Sequence, residues 1–295
     1  MQISGTQIED TFAEAFRMRY VRLVITAHDE HWLDAAVREL TGYSSSIISC
    51  DSEAGRERPL SPAETPDGRP GAAVLLFGFS ADALKTVVPN RVGQCVMTCP
   101  TTAVYDGLPD GDERIPLGKT IRYFGDGFQK SKLVGGRRYW RIPVMDGEFV
   151  IEDRVHVAKG IGGGNFILQG ESQVVALAAA RRAIQAIDPL PGVITPFPGG
   201  VARSGSKVGS RYKALKASTA DAYCPTLRGR VPTHLAEGAN AAYEIVIDGA
   251  DEAAIAQAMA VGIRAAAGPG ILAITAGNYG GKLGKFHFHL RNVLA

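Results

Sequence analysis

The sequence predicts an α+β protein of two lobes, each a split βαβ unit whose antiparallel sheet carries helices on one face. Three observations point there. Strand-like and helix-like segments succeed one another in the order βαββαβ twice along 295 residues. Near the middle, the turn dipeptide Asp146-Gly147 separates two β-rich runs and marks a boundary between residues 1–145 and 146–295. The stretch from Phe79-Ser80-Ala81-Asp82-Ala83 to Cys99 can be laid beside that from Gly249-Ala250-Asp251-Glu252-Ala253 to Ala276, as an internal duplication would leave it. A doubly wound parallel sheet is the alternative arrangement.

Taken in order, Thr11-Phe12-Ala13-Glu14 has the form of a capping box and predicts a short N-terminal helix. Residues Val21 to Ala27 have strand composition. Asp29 is placed to cap a helix from Glu30 to Thr41, with Gly42 as its stop. Ser46 to Cys50 reads as a second strand, and the run Ala72 to Phe79, after the turn-rich segment from Pro66 to Gly71, as a third. Ser80 caps a helix through Val92, and Gln94 to Cys99 makes a fourth strand. Arg138 to Val144 and Glu148 to Val157 form the hairpin at the boundary. Beyond it come Asn165 to Gln169 as strand, Ser172 to Ile187 as an Ala-rich helix, and Val193 to Phe197 and Tyr243 to Asp248 as strands. A helix from about Asp251 to Ala267, broken by Pro269-Gly270, and a strand from Ile271 to Ala276 close the second set.

Composition narrows the class. Apolar residues make up 45% and charged residues 21%, as in ordinary globular proteins, so disordered and fibrous classes are set aside. The net charge of +2 gives no field that would select nucleic acid, and a mixed-face hairpin accounts for Arg137-Arg138-Tyr139-Trp140. No apolar run approaches the roughly 20 residues that span a bilayer, and Met1 to Asp10 lacks a signal-peptide pattern, so a cytoplasmic, membrane-free protein is expected. Four spaced cysteines suit buried thiols in a reducing compartment.

Familiar site signatures fail one by one. Gly160-Ile161-Gly162-Gly163-Gly164-Asn165 lacks the third glycine of a dinucleotide fingerprint and precedes a strand, where that motif needs a helix. Gly277 to Lys282 has only three residues between its outer glycines and no hydroxyl after the lysine, so it is no P-loop. There is no Gly-x-Ser-x-Gly elbow for an acyl-enzyme. Cys95 and Cys99 share a strand face without zinc-type partners, and His287 and His289 lack a third ligand, so no metal site is expected.

What stands out is glycine, 35 residues concentrated in polar motifs beside strands. Such loops present amide donors to a carbonyl oxygen or an acid, or serve as tight turns and bulges. The motifs are Gly160 to Phe166, Pro196-Phe197-Pro198-Gly199-Gly200, Ser204-Gly205-Ser206-Lys207-Val208-Gly209, and Ala276-Gly277-Asn278-Tyr279-Gly280-Gly281-Lys282-Leu283-Gly284. With Ile8 to Phe16, Glu64 to Gly71, Gly93 to Thr98 and Tyr243 to Ile247, their ordered set resembles the formylmethanofuran:tetrahydromethanopterin formyltransferases from Ile8 to Leu283.

This resemblance implies two ferredoxin-like lobes, no permanently bound cofactor or metal, and a homo-oligomer or membership of a formyltransferase/hydrolase complex. It also implies direct transfer of a formyl group between two small-molecule carriers, methanofuran and tetrahydromethanopterin. A non-catalytic scaffold subunit of such a complex is the second reading. Two features depart from the family. Ala220 stands where the family usually has Asn, and the near-neutral charge differs from its strongly acidic, salt-adapted members. The chain looks more like the version of methylotrophic bacteria, in which the formyl group passes from the pterin to the furan.

Formyl transfer between amines needs one group to move a proton, and Glu244, an ionisable residue among Tyr243, Ile245, Val246 and Ile247, is the expected acid/base. A structural pairing of the same carboxylate is the competing reading. Gly163, Gly164, Asn165, Asn278, Gly280 and Gly281 are candidates to hold the formyl or pterin group, with Glu171 a weaker acid candidate beside the helix start at Ser172. Lys207 and Lys282 are candidates for the carriers' anionic groups. Ser206, Ser218, Thr219 and Tyr223 complete the expected substrate-binding set.

Overall fold

A computed structural model describes residues 1–204 and 207–295. The chain groups into two compact units: Met18–Gly160 is one, and Met1–Arg17 with Ile161–Ala295 is the other. Packing therefore divides the chain within two long strands, Phe12–Thr26 and Arg154–Gly170, and not at the hairpin around Asp146, which lies inside the unit Met18–Gly160. A strand uninterrupted by a turn signal gives the sequence reader no boundary.

In the unit Met18–Gly160 the order is the strand ending at Thr26, helix Glu30–Thr41, strands Glu53–Leu60 and Gly71–Gly78, helix Ala81–Arg91 and strand Ala103–Asp106. Gly71–Gly78 lies antiparallel between Glu53–Leu60 and Arg19–Thr26, and the latter pairs antiparallel with Ala103–Asp106. Gly147–Glu152 then adds parallel to Ala103–Asp106, making the sheet mixed, with the hairpin partner Arg137–Val144 beyond it. Asp29 accepts a hydrogen bond from the Trp32 amide, and Leu33, Ala36, Val37 and Leu40 form the buried stripe of the first helix. Ser80 caps the second helix on the Ala83 amide.

The other unit repeats this order: the strand up to Gly170, helix Gln173–Ile187, strands Val193–Ile194 and Ala241–Gly249, helix Glu252–Ala266 and strand Ile271–Thr275. Its pairings repeat as well, with Ala241–Gly249 between Val193–Ile194 and Arg154–Gly170, and the latter next to Ile271–Thr275. Thr6–Ile8 extends this sheet parallel to Ile271–Thr275. Ser172 and Asp251 cap the two helices on the amides of Val175 and Ala254. The helices bury small residues, Ala176, Ala179, Ala180 and Ala183 against Ala258, Met259 and Gly262, beneath Phe166, Leu168, Ile245 and Ile247 of the sheet.

Three predicted elements take other forms. Thr11–Glu14 does not start a helix; Phe12–Thr26 is one strand, and Phe12 to Ala15 pair antiparallel with Phe286–His289. Ser46 to Cys50 is a turn, because its serine-rich backbone closes local bonds from the Ser49 and Cys50 amides to the Ser46 carbonyl, and the strand begins at Glu53. Gln94 to Cys99 continues the preceding helix as a π-helical turn, Val92–Val96, since Val92 and Val96 are both fully buried at a spacing of one turn. Cys95 and Cys99 are thus half-buried beside a helix end, with burial pushing their thiol pKa values up. No helix among the described residues is long and apolar enough to cross a membrane.

Candidate active site

The site grows from the sheet face opposite the helices in the unit Met1–Arg17 with Ile161–Ala295. Strand alternation sends Phe166, Leu168, Tyr243 and Ile245 into the core, so Asn165, Ile167, Gln169 and Glu244 project from the other face. Ile167 is registered opposite Glu244 on one side and Thr275 on the other, so these three side chains lie abreast. Glu244 is half-buried, while its neighbours Tyr243, Ile245, Val246 and Ile247 are buried. The expectation of a carboxylate in an apolar strand agrees with that placement.

Two loops flank this face. In the first, the Tyr223 ring lies 5.6 Å from His234, and its hydroxyl shares a hydrogen bond with Thr275. Gln169, fully buried, accepts from the Ala236 amide at 2.7 Å and donates to the His234 carbonyl at 3.3 Å, tying the same segment down. Burial pushes the Tyr223 phenol pKa up, helped by the charges of Glu9 and Glu244. In the second loop, Tyr279 takes a hydrogen bond from the Val208 amide; burial, then the charges of Glu244 and Glu14, raise its phenol pKa. Both tyrosines therefore stay protonated at neutral pH and lie within reach of the Glu244 charge.

The expected glycine and asparagine residues also make contacts within the protein. The Gly163 amide donates to Asp248 at 3.0 Å, and Gly163 sits at φ +90 in a bulge between Ile161 and Gly164. At Gly164 a Cβ would run into the Ile255 side chain, so the helix packs against bare backbone there. Asn165 donates to the Gly163 and Gly277 carbonyls at 3.0 and 3.1 Å and accepts from the Gly277 amide at 2.6 Å, locking the loop that begins at Gly277. Asn278 donates to Thr11 and the Phe12 carbonyl and accepts from the Gly280 amide. Gly281 gives its amide to Glu14.

Of the remaining candidates, Lys207 is paired with Asp221 at 2.7 Å, and Ser218 donates to the Gly209 carbonyl within a two-strand hairpin. The Thr219 hydroxyl contacts the Cys224 sulfur at 3.5 Å, and Lys282 is exposed. Glu171 is exposed beyond Gly170, beside Asn240 and Gly270, past the end of the strand whose Ile167 faces Glu244. Ser206 lies outside the described residues. The structure thus brings Glu244, Tyr223, Asn165 and the start of the 277–284 loop together, and leaves Glu171 apart.

Two residues escaped the sequence reading. Tyr279 stands inside the quoted glycine motif, where a lone aromatic among glycines was the available signal. Glu14 reads as the last residue of a helix capping box, while the alternation of Phe16, Met18 and Tyr20 with Arg17 and Arg19 runs back towards it and is a strand signal. Among the described residues no cluster of three or more His, Cys, Asp or Glu could hold a metal ion.

Comparison with known proteins assigns the chain. Residues 1–144 match the family model "Formylmethanofuran-tetrahydromethanopterin formyltransferase" and residues 147–293 match "FTR, proximal lobe". The formylmethanofuran–tetrahydromethanopterin formyltransferase of Methylococcus capsulatus is 55% identical over the full length of both chains. A subunit of the formyltransferase/hydrolase complex of Methylorubrum extorquens is 48% identical, over 99% of this chain and 97% of its own. The solved Methanosarcina barkeri formyltransferase superposes with a TM-score of 0.94 at 46% identity, covering 99% of this chain and all of its own. The Methylorubrum extorquens complex, solved with methylofuran, gives 0.96 at 47% identity, over 100% of this chain and 99% of the matched chain. The chain belongs to the formylmethanofuran–tetrahydromethanopterin formyltransferase family.

Proposed function

We propose that this protein transfers a formyl group between methanofuran and tetrahydromethanopterin, directly, in a ternary complex with both carriers bound. Full-length similarity to enzymes of that name supports the reaction, and the single structural observation that carries the mechanism is half-buried Glu244 on a loop-flanked sheet face, its charge felt by two protonated tyrosines. The repeated element order and pairing support reading each unit as a ferredoxin-like lobe and the pair as a duplication. As sequence segments, the two family models divide the chain between 144 and 147, which supports 1–145 and 146–295 as the two domains, although the compact units exchange strand residues across that point.

The amine nitrogen of the accepting carrier attacks the formyl carbon, forming a C–N bond and a tetrahedral oxyanion. Glu244 takes the proton from that nitrogen and returns it to the departing nitrogen as the old C–N bond breaks, so no oxidant or reductant enters. The phenols of Tyr223 and Tyr279 supply hydrogen bonds to the oxyanion or the carrier. Holding both carriers in register contributes about 7 to 11 kcal/mol of the barrier reduction, which makes a covalent intermediate unnecessary.

The Methylorubrum relative, a subunit of a formyltransferase/hydrolase complex, supports assembly of this chain beside hydrolase subunits; a homo-oligomer and a cytoplasmic location are the further expectations of the sequence. A formyl-exchange assay with both carriers and the purified chain tests the function. Transfer without added metal or nucleotide is expected, and loss of activity to a chelator with recovery on zinc would refute the metal-free mechanism.

A further inference from the structure

The amides of the 277–284 loop that sequence alone offers to a ligand are largely taken by the protein's own acid. Glu14 is 1% exposed. The Tyr279 and Gly281 amides donate to its Oε2 at 2.6 and 2.9 Å, and those of Leu283 and Gly284 to its Oε1 at 2.6 and 2.5 Å. Burial works to raise the Glu14 pKa, but the four amides together hold it below the ordinary carboxylate range. A charged group with both oxygens doubly engaged is a clamp rather than a reagent.

The clamp is built for close approach. At Gly284 a Cβ would fall 2.5 Å from the Ala15 carbonyl oxygen and 2.7 Å from Glu14 Cγ, so only glycine lets the loop come down onto the carboxylate. The loop starts at Gly277, where a Cβ would be 3.3 Å from Glu244 Oε1, and its third residue is Tyr279, whose phenol feels the Glu244 charge. Strand Phe12–Thr26 thereby fixes, through one buried side chain, a loop some 265 residues away in sequence.

We propose that Glu14 is a positioning residue: its carboxylate, locked among the amides of Tyr279, Gly281, Leu283 and Gly284, holds the loop that sets Tyr279 against Glu244. The inference rests on the reading of Glu244 as the acid/base group. Glu14 touches no carrier and moves no proton; it removes the freedom of the loop before the carriers arrive, so that the Tyr279 hydroxyl does not have to be ordered during the reaction.

The test uses the full-length protein with Glu14→Gln, Glu14→Asp, Tyr279→Phe, the Glu14→Gln/Tyr279→Phe double variant and Glu244→Gln, measuring kcat, KM for each carrier and amide exchange across 279–284. Glu14→Gln turns an amide NH2 towards the loop donors, so exchange should quicken there and kcat should fall roughly 10- to 100-fold with both KM values little changed. Glu14→Asp keeps the charge and should restore part of the rate; it also carries the test if Glu14→Gln does not fold. The double variant should be no slower than the slower single variant, because both changes remove the same contribution. A folded Glu14→Gln with normal kcat and a slow Glu244→Gln would overturn the positioning role alone. Multiplicative losses in the double variant would do the same. A normal kcat in Glu244→Gln would instead refute the acid/base reading on which the inference rests.

Discussion

In the unit Met18–Gly160, several acids pair with arginine or histidine side chains, and Glu53, Asp106 and Glu152 accept backbone amides as well. Glu57, 4% exposed, accepts two hydrogen bonds of 2.7 Å from Arg22; Arg91 holds Asp51; Arg137 lies 3.4 Å from Glu152. Asp106 meets His156 Nδ1 at 2.5 Å while Arg114 donates to the other ring nitrogen, so the imidazole is held as the Nδ1–H tautomer. In the other unit, with the same order and pairing of strands and helices, the buried carboxylate of Glu14 is met by backbone amides, and the ion pairs Lys207–Asp221 and Arg291–Asp10 lie exposed on its surface. Arginines share the buried acids of the first unit with backbone amides, whereas four backbone amides converge on Glu14 in the second. An arginine beside a carboxylate favours its charged form, and so do four convergent amides, so neither set of buried acids is tuned like the tyrosine-flanked Glu244 proposed above as the acid/base.

The largest expected effect follows from replacing Glu244 with Gln, which preserves shape and removes the titrating proton. The kcat should drop about 10²- to 10⁴-fold with KM for both carriers and the melting temperature little changed. If Glu244 is instead a structural partner, the melting temperature falls and the folded remainder keeps its rate, which paired kcat and melting measurements on one preparation distinguish.

The opposite pattern is expected from Arg91→Met in the other unit. Arg91 is 8% exposed and donates to the Leu40, Gly42 and Tyr43 carbonyls at the end of helix Glu30–Thr41 as well as to Asp51. Its loss leaves helix-end carbonyls without their donor, at a cost of about 1 to 3 kcal/mol for each one that stays buried, read in denaturant unfolding. Transfer kcat below the lowered melting temperature should be unchanged. A kcat loss matching the stability loss would break the division of labour between the units.

This contrast also marks how far the sequence could be read. Caps and stripes are local, so Asp29 and Ser80 announced their helices, and each accepts an amide in the first turn; Ser172 and Asp251, legible as helix starts, cap theirs in the same way. Glu244 was legible because one acid interrupts an apolar strand. Glu14 was not, because Thr-x-x-Glu is the same pattern whether the carboxylate turns to its own helix start or to amides more than 260 residues away. For the glycines of the 160–166 and 277–284 motifs, substrate donors and tight turns or bulges are both legible; that Gly164 packs against Ile255 and Gly284 against Ala15 and Glu14 is not, because no local window contains those contacts.

The smallest effect, and the one that separates the units without touching the rate, is the acid dependence of stability. Glu14 has its pKa lowered in the folded state, so its stabilisation is fully present above the unfolded Glu value and is lost as pH falls through the folded one. Glu152 runs the other way. Burial is the leading cause of its raised pKa, so the stability linked to its protonated form is present below the unfolded value and is lost as pH rises through the folded one. Melting temperatures from about pH 3 to 7 should therefore show Glu14→Gln losing less than the parent protein on acidification, from a lower starting point at neutral pH. Glu152→Gln, which keeps an acceptor for the Asp106 amide, should gain on the parent as pH rises towards neutrality. The differences between each variant and the parent then slope in opposite directions with pH, because a neutral Gln cancels a favourable ionisation in one unit and an unfavourable one in the other. Parallel curves for the two variants would show that their carboxylates are held alike, and that four convergent amides at Glu14 and the burial that dominates at Glu152 have the same thermodynamic consequence.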